Sequence, residues 1–410
     1  MNQPQILKGF RDFLPPEKRK RDYVVQKIRQ TFELFGFEPL ETPTLEYASL
    51  LLGKYGQEAD KLIYTFKDRG GRQLGLRYDQ TVPTARLLAE HQNQLPRYFR
   101  RYQIQNVFRA DKPQKGRWRE FTQCDADIYG SGSYLADAEI LAVYYAIYAN
   151  LGLNTLVIKY NDRATLINNL KPFTNEKVEV YSLIQSLDKL AKLSQDQVAA
   201  ELMQKGLKAD AAQQALAAIQ KLQPSAALKP IIDAAVGLGV PAKTLVFSPT
   251  LARGLDYYTG LIFEGFIPEY SGGSVGGGGR YDQLIQQLSG IPIKAVGFGL
   301  GFDRTVEAVS QLNLIPNDLT GTKVLLAVFD NPRPALAAAA TLRQKKINTE
   351  VFPGQDKIDK QLKYAHKKNI PFALMIGPDE AAKNLVTLKN MATGQQETIT
   401  LTQAINVLAR

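Results

Sequence analysis

Arginine is interleaved with aromatic residues in Gln105–Gly130, QNVFRADKPQKGRWREFTQCDADIYG. That combination suits a phosphate and a flat base together, because a guanidinium binds phosphate in bidentate fashion and also stacks on rings. Between Arg97 and Arg119, eight basic residues stand against one acid, Asp111. The stretch opens as an alternating strand through Val107 and Phe108. It reverses at Lys112-Pro113-Gln114-Lys115-Gly116, where proline and glycine mark a turn, and returns through Trp118, Phe121, Cys124 and Ile128. In such a hairpin Arg109 would clamp a phosphate, Phe121 would stack on a base, and Asp111 would accept a hydrogen bond from a purine amine. A solvated basic face has the same composition.

Three other stretches could bear chemistry. In Arg253-Gly254-Leu255-Asp256-Tyr257-Tyr258 a cation beside a glycine turn can present one fixed charge and two phenolic hydroxyls to a small polar ligand, or simply end a strand. In GGGGRYD, Gly276–Asp282, the glycines let backbone pass close to a ligand or form a flexible loop. GFGLGFDR, Gly297–Arg304, departs from the G-x-G-x-x-G dinucleotide fingerprint. Its glycines would let an aromatic group or a nucleotide lie against a strand that ends at Arg304. P-loop, HExxH and CxxC patterns are missing. One cysteine (Cys124) and two histidines rule out an intrachain disulfide and a cysteine-rich zinc site, and fit a reducing compartment.

The elements that must position these residues are readable from period and punctuation. Leu14-Pro15-Pro16-Glu17 starts a helix, and Tyr23, Val24, Ile28, Phe32, Leu34 and Phe35 continue it until Gly36. FEPLETPTLE reads as a strand with two prolines, hence an edge or an interface. YTFKDRGGRQLGLRYD reads as a hairpin turning at Gly70-Gly71, Thr81-Val82-Pro83 leads a helix to His91, and Ala136–Leu151 is helical. From about Arg163 to Val240, Ala, Gln, Lys and Leu dominate, which predicts a helical module inserted into a β-rich domain. TLVFSP and LARGLDYYTGLIFEGFI read as strands, and the six glycines of Gly272–Gly279 as a loop. After Gly321, KVLLAVF, INTEVFP and PFALMIG alternate with helices, predicting a mostly parallel sheet.

A chain of 410 residues, 44% hydrophobic and 22% charged, suits a soluble protein of two or three domains. Signal-peptide and membrane-span patterns are absent, so a cytoplasmic, membrane-free protein is expected. The net charge of +11 suggests a polyanionic partner; residues 321–410, with 13 Lys and Arg against 7 Asp and Glu, supply +6 of it.

Together these segments resemble the histidyl-tRNA synthetases, a family of class II aminoacyl-tRNA synthetases, almost end to end. KGFRDFLPPE with the helix to Pro43 is similar to the first class II motif, a dimer-interface element. FRADKPQKGRWREF is similar to the second and GLGFDR to the third. LARGLDYYTG and GGGGRYD are similar to the two histidine-specific signatures, and the tail to the anticodon-binding domain. The resemblance implies an α+β fold with an antiparallel catalytic sheet and flanking helices over residues 1–320, a helical insertion at about 164–240, and a C-terminal α/β anticodon-binding domain over 321–410.

It also implies roles. Arg109 holds the ATP α-phosphate, Phe121 and Arg304 sandwich adenine, and Asp111 and Arg117 complete the nucleotide site. Arg253 is the cation at the carboxylate–phosphate junction, with Arg109 assisting catalysis. Asp79, Thr81, Gln123, Asp127, Tyr257, Tyr258 and Tyr281 line the histidine pocket, and Gln114 and Lys115 approach the tRNA acceptor end. Substrates would be L-histidine, ATP with Mg²⁺ from the medium rather than a resident metal, and tRNA(His), in a homodimer. Aspartate stands at 79, 111, 127 and 303 where bacterial members usually carry glutamate, a eukaryotic or archaeal style, whereas the short PQKGR loop is of bacterial style. Joining a carboxylate to the α-phosphorus requires positioning and charge neutralisation, which three arginines supply. A polar pocket rejects apolar isosteres by hydrogen bonding, so no separate editing domain is expected. The synthetase-like regulatory subunit of ATP phosphoribosyltransferase is the nearest rival, but it lacks the tail and parts of the ATP motifs. The intact histidine signatures likewise disfavour a plain RNA-binding module.

Overall fold

The computed structural model describes residues 3–53, 60–112, 116–191, 193–254, 256–316, 319 and 321–409. Gln114 and Lys115 at the expected hairpin tip, and Leu255 in the first histidine signature, lie outside them. The chain divides into two compact units, Met1–Leu14 with Lys20–Ile315, and Pro15–Arg19 with Pro316–Arg410.

The first unit is built on an eight-stranded sheet: β1 (Glu38–Pro39), β5 (Phe99–Phe108), β6 (Glu120–Tyr129), β7 (Val157–Asp162), β8 (Leu245–Phe247), β9 (Leu261–Phe266), β10 (Gly276–Arg280) and β11 (Ala295–Leu300). Its spatial order is β1-β5-β6-β11-β10-β9-β7-β8. The six central strands are antiparallel, and only the edge strands β1 and β8 pair in parallel. Pro39 sits on edge strand β1, where a missing N–H costs least. A small three-stranded sheet joins β2 (Leu45–Tyr47), β4 (Gln73–Leu76) and β3 (Thr65–Lys67), the last two forming the hairpin expected around Gly70-Gly71.

Period-2 alternation divides the large sheet into two faces. Cys124, Ala126 and Ile128 of β6, and Val296, Phe298 and Leu300 of β11, pack into the main core with helix Pro15–Leu34 and helix Tyr134–Asn150. The first helix contributes Val24, Ile28 and Phe32 at four-residue spacing, all 0% exposed, each worth about 1.5–3 kcal/mol over remaining in water. The second, starting at the Ser133 cap, buries nearly its whole circumference. Cys124 lies in this core, and burial pushes its thiol pKa well up. Native protein is therefore expected to leave Cys124 unmodified by a maleimide, with one equivalent incorporated only after unfolding. Rapid labelling of the native chain would contradict the placement.

The helices between Arg163 and Gln220 share a second core through Leu166, Leu183, Ile184, Leu202 and Leu216. Helix Leu228–Gly237 instead joins the main core through Leu228, Ile231 and Ala235. Two local expectations are corrected. Gly276–Gly279 is not a loop but a central strand, paired with β9 and β11. Leu251–Gly260 has no strand among its described residues, and the carbonyls of Leu251, Ala252 and Arg253 bond side chains rather than a ladder.

The second unit holds β12 (Val324–Leu326), β13 (Thr349–Val351), β14 (Phe372–Met375), β15 (Val386–Asn390) and β16 (Gln396–Ile399), in the order β13-β12-β14-β15-β16. The sheet is mixed rather than mostly parallel. Helical crossovers make β13-β12-β14 parallel, but a short helix, Pro378–Lys383, and then a turn return β15 and β16 antiparallel.

Candidate active site

The face of the large sheet opposite the main core is polar, and the register shows how it is assembled. Arg101, Gln103 and Gln105 of β5 face Asp127, Asp125 and Gln123 of β6. Asp127 and Asp125 face Gly297 and Gly299 of β11, which in turn face Gly279 and Gly277 of β10. A Cβ on Gly297 would overlap the Asp127 carboxylate; one on Gly277 would overlap the Arg253 guanidinium and the Phe263 carbonyl. The glycines thus form a bare floor on which charged side chains lie against the backbone.

On that floor Arg101, 1% exposed, pairs with Asp127 at 2.6 Å, and Tyr281 donates its hydroxyl to the other Asp127 oxygen. Burial opposes charge on Arg101, but Asp127, Tyr129 and Asp125 more than restore it, so its pKa is raised. Burial raises the Asp127 pKa, with Arg101 and Tyr281 opposing. Arg253 shows the same competition: burial disfavours its charge, and Tyr258, Glu264 and Tyr257 outweigh it. Several buried polar atoms around this face have no hydrogen-bond partner among the described residues: Gln80 Oε1, Gln123 Oε1, Asp125 Oδ1, Arg101 Nε and Arg253 Nε. Buried polar atoms are nearly always bonded, so such a concentration marks a place prepared for a polar ligand.

Neighbouring elements bring further groups here. Gln80 donates to the carbonyls of Gln105 (3.2 Å) and Gln123 (3.1 Å), stitching the start of helix Thr81–His91 to β5 and β6. Asp79, just before it, accepts from the Val82 N–H at 3.1 Å and so meets the positive end of the helix. Arg109, leaving β5, has its guanidinium 4.3 Å from the Tyr78 ring centre and 5.2 Å from that of Phe121, and donates to the Tyr78 carbonyl at 3.2 Å. Arg253 donates to the Phe263 carbonyl at 3.0 Å, and its guanidinium lies 5.5 Å from the Tyr258 ring centre. Tyr257 contacts both Tyr258 (4.6 Å) and Tyr281 (5.9 Å). β11 runs out through Gly301 into helix Phe302–Gln311, exposing Arg304, which donates to the Ser274 carbonyl at 2.7 Å. Beside it Asp303 accepts from Arg11 at 2.9 Å and from Arg21. Arg11 also lies 4.2 Å from the Trp118 ring centre.

Residues 9–305 match the family model described as histidyl-tRNA synthetase, and residues 324–410 match an anticodon binding domain. The chain belongs to the histidyl-tRNA synthetase family. It is 38% identical over 454 residues to a histidine–tRNA ligase of Cytophaga hutchinsonii, with 100% of both chains covered. It superposes on the histidyl-tRNA synthetase of Nostoc sp. PCC 7120 with a TM-score of 0.86 and 28% identity, covering 100% of this chain and 99% of that one. The apo S. aureus histidyl-tRNA synthetase gives 0.73 and 26%, covering 100% of each.

Within this synthetase framework Asp79, Gln123, Asp127, Tyr258 and Tyr281 come together around the glycine floor, with the Tyr257 ring touching both other tyrosines and Thr81 opening its helix. Arg117 is exposed on the returning arm of the hairpin, and the Asp111 carbonyl accepts from Arg119 at 3.0 Å. Sequence reading missed Arg101, Asp125, Gln80 and Arg11. A signal for the first two was present: Arg101-x-Gln103-x-Gln105 and Gln123-x-Asp125-x-Asp127 place polar residues at strand period.

Burial pushes the Asp125 carboxyl up to about 7; Arg101 opposes it, Asp127 and Asp79 add to it, and Arg109 opposes. The folded pKa lies above the ordinary 3.8, so the native state binds a proton the unfolded chain has released. The resulting stability is full below the unfolded value and is lost as pH rises through about 7. Asp125→Asn, which cannot ionise, should therefore raise Tm at alkaline pH, and the gain should shrink as pH falls from about 7 towards 4. A pH-independent Tm difference in parallel melts would show that Asp125 does not titrate in this range.

Proposed function

We propose that the chain is a histidine–tRNA ligase. A histidine carboxylate oxygen attacks the α-phosphorus of ATP, the bond to pyrophosphate breaks, and histidyl-AMP forms. A ribose hydroxyl at the 3′ end of tRNA(His) then attacks the acyl carbon, and AMP leaves. The observation that carries this reading is the glycine floor, where fixed Arg253 stands beside the Tyr258–Tyr281–Asp127 cluster.

On this reading Asp79, Thr81 and Gln123 receive the α-ammonium end of histidine. Asp127, Tyr257, Tyr258 and Tyr281 hold and orient the imidazole. Arg109 and Arg253 neutralise charge developing on the α-phosphate, acting as catalytic residues. Arg117 meets the outer phosphates, Asp111 the purine amine, and Phe121 and Arg304 the adenine faces. Preorganised cations in a partly dry site need little rearrangement as charge develops. Mg²⁺ would travel with the triphosphate, since it prefers phosphate oxygens and water. The donor chemistry fits: arginines occupy the nucleotide side, while Asp125 and Asp127 are buried deep beside Arg101.

We take residues 1–320 as catalytic, with the insertion at about 164–240, and 321–410 as anticodon-binding; the division of the chain between Ile315 and Pro316 supports this. Gln114 and Lys115 remain assigned to the acceptor end of the tRNA. Leu45, Tyr47 and Phe66, apolar and exposed on one face of the small sheet, support a homodimer. No helix among the described residues is long and apolar enough to cross a membrane, and with ATP and tRNA as substrates we assign the cytoplasm. Histidine-dependent exchange of labelled pyrophosphate into ATP, followed by charging of tRNA(His), tests the whole reading. Failure of exchange with histidine would overturn it, and exchange without charging would remove the tRNA step.

A further inference from the structure

Five non-glycine residues among those described have a positive φ: Arg253, Asn313, Lys346, Asn369 and Asn384. The last four follow helix C-termini, where a left-handed residue is an ordinary way to end a helix. Arg253, at φ 50°, has no helix before it. A left-handed conformation costs a branched or long side chain on the order of 1–3 kcal/mol and persists only where surrounding contacts impose it.

Those contacts come from the end of β7 and the helix that follows it. Asn161 donates to the carbonyls of Pro249 (3.1 Å) and Leu251 (3.0 Å). Arg163, two residues on, donates through one nitrogen, Nη1, to the carbonyls of Ala252 (2.9 Å) and Arg253 (3.1 Å). Two side chains thus grip four carbonyls in the five residues leading to Arg253. Arg163 is 0% exposed, and its Nε and Nη2 have no hydrogen-bond partner among the described residues; Asp256 stands 3.6 Å from Nη2. A guanidinium buried with such incomplete compensation is a poor way to gain stability, since an apolar residue of similar volume is often as good or better. Its directed bonds to the arginine turn are what an apolar residue could not supply.

We propose that Arg163 is a positioning residue for Arg253: by gripping the Ala252 and Arg253 carbonyls it holds the left-handed turn that lays the Arg253 guanidinium across Gly277. This rests on the reading of Arg253 as a catalytic cation. The grip is backed by the helical insertion. Tyr181 lies 5.6 Å from the Arg163 guanidinium, and Gln185 donates to Asp256 at 3.4 Å. A displacement of helix Val180–Leu187 would therefore reach the arginine turn through Arg163.

The test is a double-mutant cycle in pyrophosphate exchange with Arg163→Met, Arg253→Ala and the pair, and with Arg163→Lys in parallel should the methionine variant fold poorly. Arg163→Met is expected to lower kcat about 10–100-fold with KM for histidine and ATP changed less than about threefold, and to add almost nothing in the Arg253→Ala background. Equal fold-losses in both backgrounds would show a merely structural role and overturn the proposal, leaving the catalytic reading of Arg253 intact. An unchanged kcat in Arg253→Ala alone would overturn that reading and the proposal with it.

Discussion

Arg253→Ala is expected to lower kcat for histidine-dependent pyrophosphate exchange by about 10²–10³-fold, or ~2.7–4 kcal/mol of transition-state stabilisation, while ATP binding weakens far less. Negative charge gathers on the α-phosphate as the carboxylate approaches, so a cation fixed at that point helps the transition state more than the ground state. The fixing is visible: the guanidinium lies across Gly277, donates to the Phe263 carbonyl at 3.0 Å, stands 3.5 Å from Glu264, and rests beside the Tyr258 ring. Measuring kcat, KM for each substrate and the equilibrium affinity for ATP separates the possibilities. Equal losses in affinity and rate would make Arg253 a simple phosphate anchor.

Asp127→Asn should produce the second large effect, on two observables at once. The substitution removes the charge facing Arg101 across 2.6 Å in a site where both residues are almost fully buried. Removing one partner of such a pair costs about 3–5 kcal/mol, because the other charge stays buried and uncompensated. It also weakens the acceptor for Tyr281, so the hydroxyl that would orient the imidazole loses its anchor. Histidine kcat/KM is expected to fall by roughly 10³-fold or more, toward the 10⁴–10⁵ discrimination available to a site built around ring hydrogen bonds. Thermal melting and histidine titration check the two halves. A variant that melts like the parent and binds histidine as tightly would remove Asp127 from the pocket.

Much of the catalytic architecture was open to reading from residue order. Helix starts at Pro15 and Thr81 follow from local stereochemistry, and the tail's strand–helix alternation from local hydrophobic pattern. The motifs offered Arg109, Arg253, Tyr258, Tyr281 and Asp127 as candidates because these residue types carry the chemistry wherever they are placed. The glycine run misled, since four successive glycines have no intrinsic preference for a strand. Only pairing with β9 and β11 made Gly276–Gly279 central in the sheet.

The sequence by itself determined which side chains were available: a basic aromatic hairpin, an arginine beside two tyrosines, acids at strand period, and glycines to make room. The tertiary structure decided which of them meet. Asp127 finds Arg101 and Tyr281 because β6 lies between β5 and β11, with β10, which leads into Tyr281, on the far side of β11; that order is a choice made by long-range pairing that no short window contains. Asp125 is pushed toward neutrality by burial, a property of everything packed above it rather than of its neighbours in the chain. Arg253 is held at its unusual φ by Arg163, 90 residues earlier, because contacts that impose a strained turn have to come from outside it.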